Sequence, residues 1–315
     1  MQHTLAKDIG LDGVGLHSGR PVRLHIRPAP AGHGIVFVRT DITDKDNKIP
    51  ARWDKVVDTR LCTMIANADG ASVGTVEHLM SALRGCGVDN ALIELDGPEV
   101  PVMDGSAMPF VAAIDAAGLT AQAAPRRAIR ILKPITAEEG GKRVTLSPAS
   151  GSVFAGDISF DHPEIGTQRF ETTLLNGNFR HDIAEARTFG FLHEVEWMRS
   201  QGLALGGSLD NAIVLDKTGI MNPDGLRFTD EFIRHKILDA IGDLYLAGAP
   251  IIGAYDGSKA GHAMNNAILH KLFATPEAWE YVTLEEKPAH IVIPAEAGIG
   301  AFDALTATRS LLAQG

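Results

Sequence analysis

Hydrophobic and polar residues alternate over residues 22–26 and again over 35–39, the period-two signature of half-buried strands. Residues 61–65 continue that pattern. The period then changes. Val76, Leu79, Met80 and Leu83 recur at helical spacing, which predicts a helix over 75–83 with Ser72 or Thr75 as its N-cap. Residues 91–95 read as a buried strand, and 109–117 as a second helix that ends near Gly118. The small, proline-containing and then basic stretch 121–127 predicts a linker. A new β-rich unit follows: a strand over 129–135, a turn at Glu139-Gly140-Gly141-Lys142, a strand over 144–146 and another at 211–215. Residues 232–246 read as helix, 251–255 as strand and 265–273 as helix. Each half therefore closes on the same helix–strand–helix series. That order predicts two similar α+β domains facing each other across a cleft, residues 1–124 and 125–282. Residues 283–315 carry little pattern and stay unplaced.

One stretch of the second half breaks the series. Residues 194–207 look inserted: Val195, Trp197, Met198, Leu203 and Leu205, with Leu192 just before them, lie among glycine breaks. Such a segment is either core or an apolar cover over a lipid-like ligand. The bulk composition narrows the partners. The chain has 315 residues, 45% hydrophobic and 22% charged, as in a well-cored globular protein. Its net charge of −10 argues against nucleic acid or an anionic membrane surface as the main partner. The polar start, Met1-Gln2-His3-Thr4, lacks a signal core, and no run of about 18 apolar residues occurs, so a cytoplasmic location is expected. Cys62 and Cys86 form no CxxC pair, which excludes a thiolate zinc finger and speaks against a disulfide framework.

The chemistry concentrates in a few places. In Arg234-His235-Lys236-Ile237-Leu238-Asp239-Ala240-Ile241-Gly242-Asp243, His235 and Asp239 share one helical face. Among core-forming neighbours, that is half of a metal site. Taken alone, it is equally a solvated polar edge. Glu77-His78 near a helix start is common and gains weight only if His78 meets His235 and Asp239. Together these would form a three-ligand site with the fourth position left to water, the arrangement of a catalytic zinc. Glu77 would then be the natural base; otherwise it is an exposed helix charge. His262, on a glycine turn after the strand 251–255, is a candidate acid or oxyanion partner with Asp243 behind it, and taken alone a polar loop residue. Gly13-Val14-Gly15-Leu16-His17-Ser18-Gly19 lacks both the dinucleotide fingerprint and a Gly-Lys-Ser, and reads as a tight turn. So does Met103-Asp104-Gly105-Ser106.

Set side by side, the motifs are specific. After Gly13 to Gly19 come Thr75-Val76-Glu77-His78-Leu79, Val102-Met103-Asp104-Gly105-Ser106, Arg187-Thr188-Phe189-Gly190-Phe191, His235-Lys236-Ile237-Leu238-Asp239 with Gly242-Asp243, and Gly261-His262. From residue 4 to residue 275 the chain closely resembles the UDP-3-O-acyl-N-acetylglucosamine deacetylases, the zinc amidases of lipid A synthesis in Gram-negative bacteria. The resemblance implies an α+β fold of two similar domains, each a β-sheet layer with helices. The helices pack between the two sheets, and each domain carries a small insert. It implies Zn2+, with Fe2+ as the alternative in the cell, on His78, His235 and Asp239. Glu77 would be the general base. His262 would act on the oxyanion or leaving amine, oriented by Asp243, and Thr188 would hydrogen-bond the oxyanion.

On the same resemblance Phe189 and Lys236 hold the sugar, and Lys259, with Lys142 or Arg143, meets the diphosphate. Leu192, Val195, Ala204 and Leu209 line a passage for the acyl chain, and Leu16, Cys62 and Phe191 are further substrate contacts. The implied reaction removes the N-acetyl group of the UDP-linked, 3-O-acylated glucosamine and releases acetate. A monomer is expected. At about 0.8 kcal/mol per buried methylene, much of the substrate's affinity would reside in its acyl tail. Two other readings share features of the pattern. A non-haem iron oxygenase also uses two histidines and a carboxylate, although a glutamate beside a ligand suits hydrolysis better. A metal-dependent lipid carrier would use the insert without chemistry.

Overall fold

The computed structural model describes residues 1–175 and 177–284. Its architecture is mixed α and β, with two main sheets and six α-helices among the described residues. The first sheet has five strands in the order Ile9–Val14, Pro21–Pro28, Ala91–Leu95, Ile35–Arg39, Lys48–Pro50. Only Ile35–Arg39 and Ala91–Leu95 run parallel in it, in the register Ile35↔Ala91 to Arg39↔Leu95. Helix α1 (Glu77–Cys86) lies between these two strands in the chain, and α2 (Met108–Ala117) follows them.

The second sheet has seven strands built on Ile251–Ser258. That strand pairs with Arg127–Ile131, Lys142–Ser147 and Ser152–Ser159. The pairing with Ser152–Ser159 is again parallel, and helix α5 (Glu231–Tyr245) is the long helix of the crossover. Helix α6 (His262–Phe273) follows. The short α3 (Phe179–Asp182) and α4 (Leu192–Ser200) lie within the same crossover. Both halves thus run strand, helix, parallel strand, helix.

The helices meet in the middle. Helix α2 packs on Ile9–Val14, α5 on Ser152–Ser159 and Thr167–Thr173, and α6 on Ile135–Glu139 and Lys142–Ser147. Helix α1 packs against both α2 and α5. One hydrophobic cluster runs through these contacts, from Leu24, Ile26 and Phe37 through Leu79 and Leu83 to Leu238 and Ile241. A fully buried side chain of this kind contributes about 1.5–3 kcal/mol. The α1–α5 contact is close because Gly242 has no side chain. A Cβ there would overlap the Glu77 carbonyl oxygen and lie 3.0 Å from the Ser81 amide nitrogen.

Strands 22–26, 35–39 and 91–95 and the helices over 109–117, 232–246 and 265–273 lie where the pattern predicted them, within three residues at either end. Other expectations need correction. The strand expected over 61–65 is Met64–Ala66, because the Thr63 amide and hydroxyl turn inward to Glu77 and Asp243. Residues 129–135 are two strands, Arg127–Ile131 and Ile135–Glu139, in place of one. The helix expected from 75 opens at Glu77, and neither Ser72 nor Thr75 caps it. Ser72 lies in the strand Ser72–Val73, and Thr75 sits at φ 55 with its hydroxyl given to Glu99 at 2.8 Å. The pattern did not reveal Gln2–Leu5, Ile9–Val14, Ser152–Ser159 or Thr167–Thr173. The boundary expected at 124 falls between strands Leu119–Gln122 and Arg127–Ile131. The expected tail begins inside the strand Trp279–Thr283, and from residue 285 onward it lies outside the described residues.

Replacing Gly242 with alanine is expected to force α1 and α5 apart, at a cost of about 1–3 kcal/mol or more. Denaturant unfolding of Gly242→Ala against the wild type measures it. Unchanged stability would contradict the close helix contact.

Candidate metal centre and active site

Helices α1 and α5 carry the charged cluster. His78, on the first turn of α1, meets His235 and Asp239, one turn apart on α5. One donor atom from each lies within 4.8 Å of the others, and all three residues are buried. Asp239 Oδ1 is 3.6 Å from His78 Nε2 and 3.3 Å from His235 Nε2. The other oxygen, Oδ2, accepts from Lys236 Nζ at 2.9 Å. Among the described residues, Oδ1 has no hydrogen-bond partner. The His235 Nδ1–H donates to the Ala186 carbonyl at 3.0 Å, so its Nε2 carries a lone pair toward Asp239. Burial pushes the His235 imidazole down to about 3, which keeps it neutral. Burial alone would push Asp239 up, but the Lys236 ammonium bonded to its Oδ2 holds the carboxyl well below the usual range.

Two imidazole nitrogens and an orphaned carboxylate oxygen facing one point form the donor set of a divalent cation. Ligands about 2.0–2.1 Å from a common tetrahedral centre stand about 3.3 Å apart. The two nitrogen–oxygen separations match that spacing, so the residues fit such an ion.

A second cluster adjoins the first. Glu77, 3% exposed, is no surface charge. Its Oε2 accepts from the Thr63 amide at 3.1 Å, and its Oε1 lies 3.6 Å from His262 Nε2. Burial raises the Glu77 pKa, with His262 and His78 opposing. His262 is the first residue of α6, where a loop position was expected. Its Nδ1–H donates to Asp243 Oδ2 at 2.9 Å. Burial opposes its protonation, yet the carboxylates of Asp243 and Glu77 prevail and push it up to about 10. Asp243 also accepts from Thr63 Oγ1 at 2.6 Å and Asn265 Nδ2 at 2.9 Å, and Asn265 is held by the Tyr255 hydroxyl at 2.7 Å. Sequence reasoning missed Thr63, Asn265 and Tyr255. None lies in a recognisable motif, and only the fold brings them to Asp243.

Thr188 is fixed through its backbone: its N–H donates to Gly105 O, and its carbonyl accepts from Ile213 N, both at 2.8 Å. It lines two contiguous cavities. The first, about 540 Å3, is lined by apolar and charged residues together and also includes Lys142, Lys236 and His262. The second, about 310 Å3, is mostly apolar and includes Leu16, Leu192, Val195, Ala204 and Leu209. Helix α4 and the turns after it form much of its wall, with Met198 reaching both cavities. Phe189 also lies between the cavities, with the Lys236 ammonium 5.5 Å from its ring centre.

The remaining expected contacts lie further out. Phe191 packs at tilted angles against Phe160, His162 and His193 beside a neighbouring cavity of about 620 Å3. Lys259 and Arg143 are exposed. Cys62 is buried behind Gly74, its thiol pushed up to about 12 chiefly by burial.

Buried imidazoles and a carboxylate that suit a single divalent ion, flanked by a carboxylate–imidazole pair, define a mononuclear metallohydrolase class of site. The comparison with known proteins gives the family within that class. The model of the UDP-3-O-acyl N-acetylglycosamine deacetylase family, LpxC, matches residues 2–274. Three relatives bear the name UDP-3-O-acyl-N-acetylglucosamine deacetylase. That of Phenylobacterium zucineum is 50% identical over 92% of this chain and 99% of its own length. That of Myxococcus xanthus is 52% identical over 89% of each chain. That of Neisseria gonorrhoeae is 50% identical over 90% of this chain and 93% of its own. The chain belongs to the LpxC family, whose members are metalloamidases. No helix among the described residues is long and apolar enough to cross a membrane.

Burial also protects both thiols, Cys62 as above and Cys86, pushed up to about 11. Alkylation at pH 8 is therefore expected to be far slower than for a free thiol, whose pKa is about 8.5. It should reach that rate only on unfolding. Mass-resolved iodoacetamide labelling checks this, and rapid labelling of native Cys62 would contradict its burial.

Proposed function

We propose that this chain is a zinc-dependent amidase. It removes the N-acetyl group of UDP-3-O-(3-hydroxyacyl)-N-acetylglucosamine and releases acetate, the committed step of lipid A synthesis. One observation carries the reading: the His78, His235 and Asp239 donors converge beside the Glu77–His262 pair in a chain of this family. A divalent cation held by those donors would polarise the acetamide carbonyl as a Lewis acid and bring the pKa of water down to roughly 7.

The chain's own groups do the rest. Glu77 takes the proton of the attacking water at its Oε1. Burial raises its pKa toward the working range of a general base. His262, held protonated by Asp243 and Glu77, hydrogen-bonds the oxyanion through its Nε2–H and then transfers that proton to the departing amine, and the proton on Glu77 restores it. Asp243 keeps the second His262 proton on Nδ1, while Thr63 and Asn265 keep Asp243 in place. The Thr188 hydroxyl donates to the tetrahedral oxyanion. Lys236 and Phe189 hold the sugar at the junction of the cavities. Lys259, with Lys142 or Arg143, meets the diphosphate. The apolar cavity of Leu16, Leu192, Val195, Ala204 and Leu209 shelters the acyl chain and excludes water around it. Phe191 and Cys62 belong to the substrate surroundings in the same reading.

Zinc is the resident ion in this proposal, with ferrous iron as the alternative in the cell. The protein acts as a cytoplasmic monomer. The two halves, 1–124 and 125–282, act as paired domains that supply Glu77 and His78 from one side and the α5 and α6 residues from the other.

Incubation of the zinc-loaded protein with the UDP-linked acylated substrate is expected to remove one acetyl group, read by mass spectrometry. Persistent full-mass substrate would refute the activity. Glu77→Ala is expected to retain stoichiometric zinc and lose about 10²–10⁴-fold in turnover. Turnover near the wild type would remove Glu77 as the base.

A further inference from the structure

Ala186 and Arg187 share one planar peptide group. Its carbonyl accepts from His235 Nδ1 at 3.0 Å, and its N–H donates to Glu231 Oε1, also at 3.0 Å. Glu231 and His235 are one turn apart on α5, so one face of that helix grips both ends of the same peptide group. Glu231 is 0% exposed. It also accepts from Arg187 Nε at 2.8 Å, Arg187 Nη2 at 3.1 Å and the Arg227 amide at 2.6 Å. Arg187, 7% exposed, gives a further bond to the Gly225 carbonyl at 2.8 Å. Neither residue lines either of the two cavities at Thr188. A buried ion pair is a weak source of stability by itself, because desolvation cancels most of its Coulomb gain. Its position suggests another use.

We propose that Glu231 is a positioning residue for His235, acting through the 186–187 peptide group. The carboxylate polarises the amide, the amide carbonyl gains negative character, and the His235 Nδ1 proton is held more firmly. That fixes the tautomer, fixes the ring plane and makes Nε2 a better donor to a cation. The arrangement is a carboxylate–histidine–metal relay with one peptide group inserted between carboxylate and imidazole. Arg187 pairs with Glu231 through Nε and Nη2 and so aligns the carboxylate. His78 has no partner at Nδ1, so the relay acts on one of the two imidazoles alone. The inference rests on the metal reading of His78, His235 and Asp239.

The test is zinc affinity, measured by competition with a chromogenic chelator, together with the imidazole nitrogen and proton resonances of the full-length protein. Glu231→Gln keeps the shape and removes the charge. It is expected to weaken zinc about 10–100-fold and to shift the His235 Nδ1 proton upfield while leaving the His78 resonances in place. Arg187→Lys keeps a cation beside an intact Glu231–amide bond, and is expected to lower the melting temperature without changing zinc affinity. Wild-type affinity in Glu231→Gln, or an equal loss in Arg187→Lys, would overturn the relay and leave only a structural ion pair. Should Glu231→Gln fail to fold, the metal-free wild type still decides. A His235 proton on Nδ1 supports the relay, and one on Nε2 overturns it. A wild-type protein that takes no zinc overturns the metal reading itself, and the relay with it.

Discussion

Everything at the site depends on how closely α1 approaches α5. The two helices touch where Gly242 presents bare backbone to the Glu77 carbonyl and the Ser81 amide. Only at that separation can a side chain on the first turn of one helix share a point with two side chains on the other. His78 and Asp239 then stand 3.6 Å apart, and Glu77 comes within 3.6 Å of the His262 ring. Helix glycines usually weaken a helix, by roughly 1 kcal/mol relative to alanine. Here the loss is offset by the packing that the missing Cβ allows, and the same contact that anchors the core sets the geometry of the chemistry.

That contact buries three carboxylates, Glu77, Asp239 and Asp243, in the middle of an otherwise apolar helix layer. Each must be satisfied locally, because an unpaired buried charge is expensive. Asp243 is fully served by Thr63, Asn265 and His262. Glu77 has the Thr63 amide and faces His262. Asp239 has Lys236 on one oxygen and, among the described residues, no hydrogen-bond donor on the other. The residual demand is thus localised on a single atom, and two imidazole nitrogens face it. The polar network does not spread its deficit; it concentrates it where a cation is chemically suited to sit.

Much of this layout was legible in the chain. Residues 35–39, 91–95 and 231–245 have strong periodicity and bury whole faces, so pattern and structure agree. The failures have physical reasons. Thr167–Thr173 alternates exposed and half-buried positions and offers little apolar signal. Ile9–Val14 carries two glycines, which disguise a strand. The errors at 61–65 and at the start of α1 are of another kind. There Thr63 and Thr75 leave their local preference to bond Asp243, Glu77 and Glu99, and Thr75 accepts a left-handed backbone to do so. Local rules gave way where tertiary polar contacts reward it, beside the reactive groups.

The same logic separates what motifs reveal from what they hide. On the proposed metal reading, His78, His235 and Asp239 stand in motifs because ligand chemistry restricts the residue type. Asn265 and Glu231 work through hydrogen bonds that several residue types can make, so their identities carry little signal in one sequence. Their importance is visible only as connectivity: Glu231 takes four donors on its two oxygens, and one of those donors belongs to the peptide group that orients His235. A buried carboxylate with both oxygens fully engaged, set one turn from a proposed ligand and outside the cleft, is best understood through what its partners hold in place.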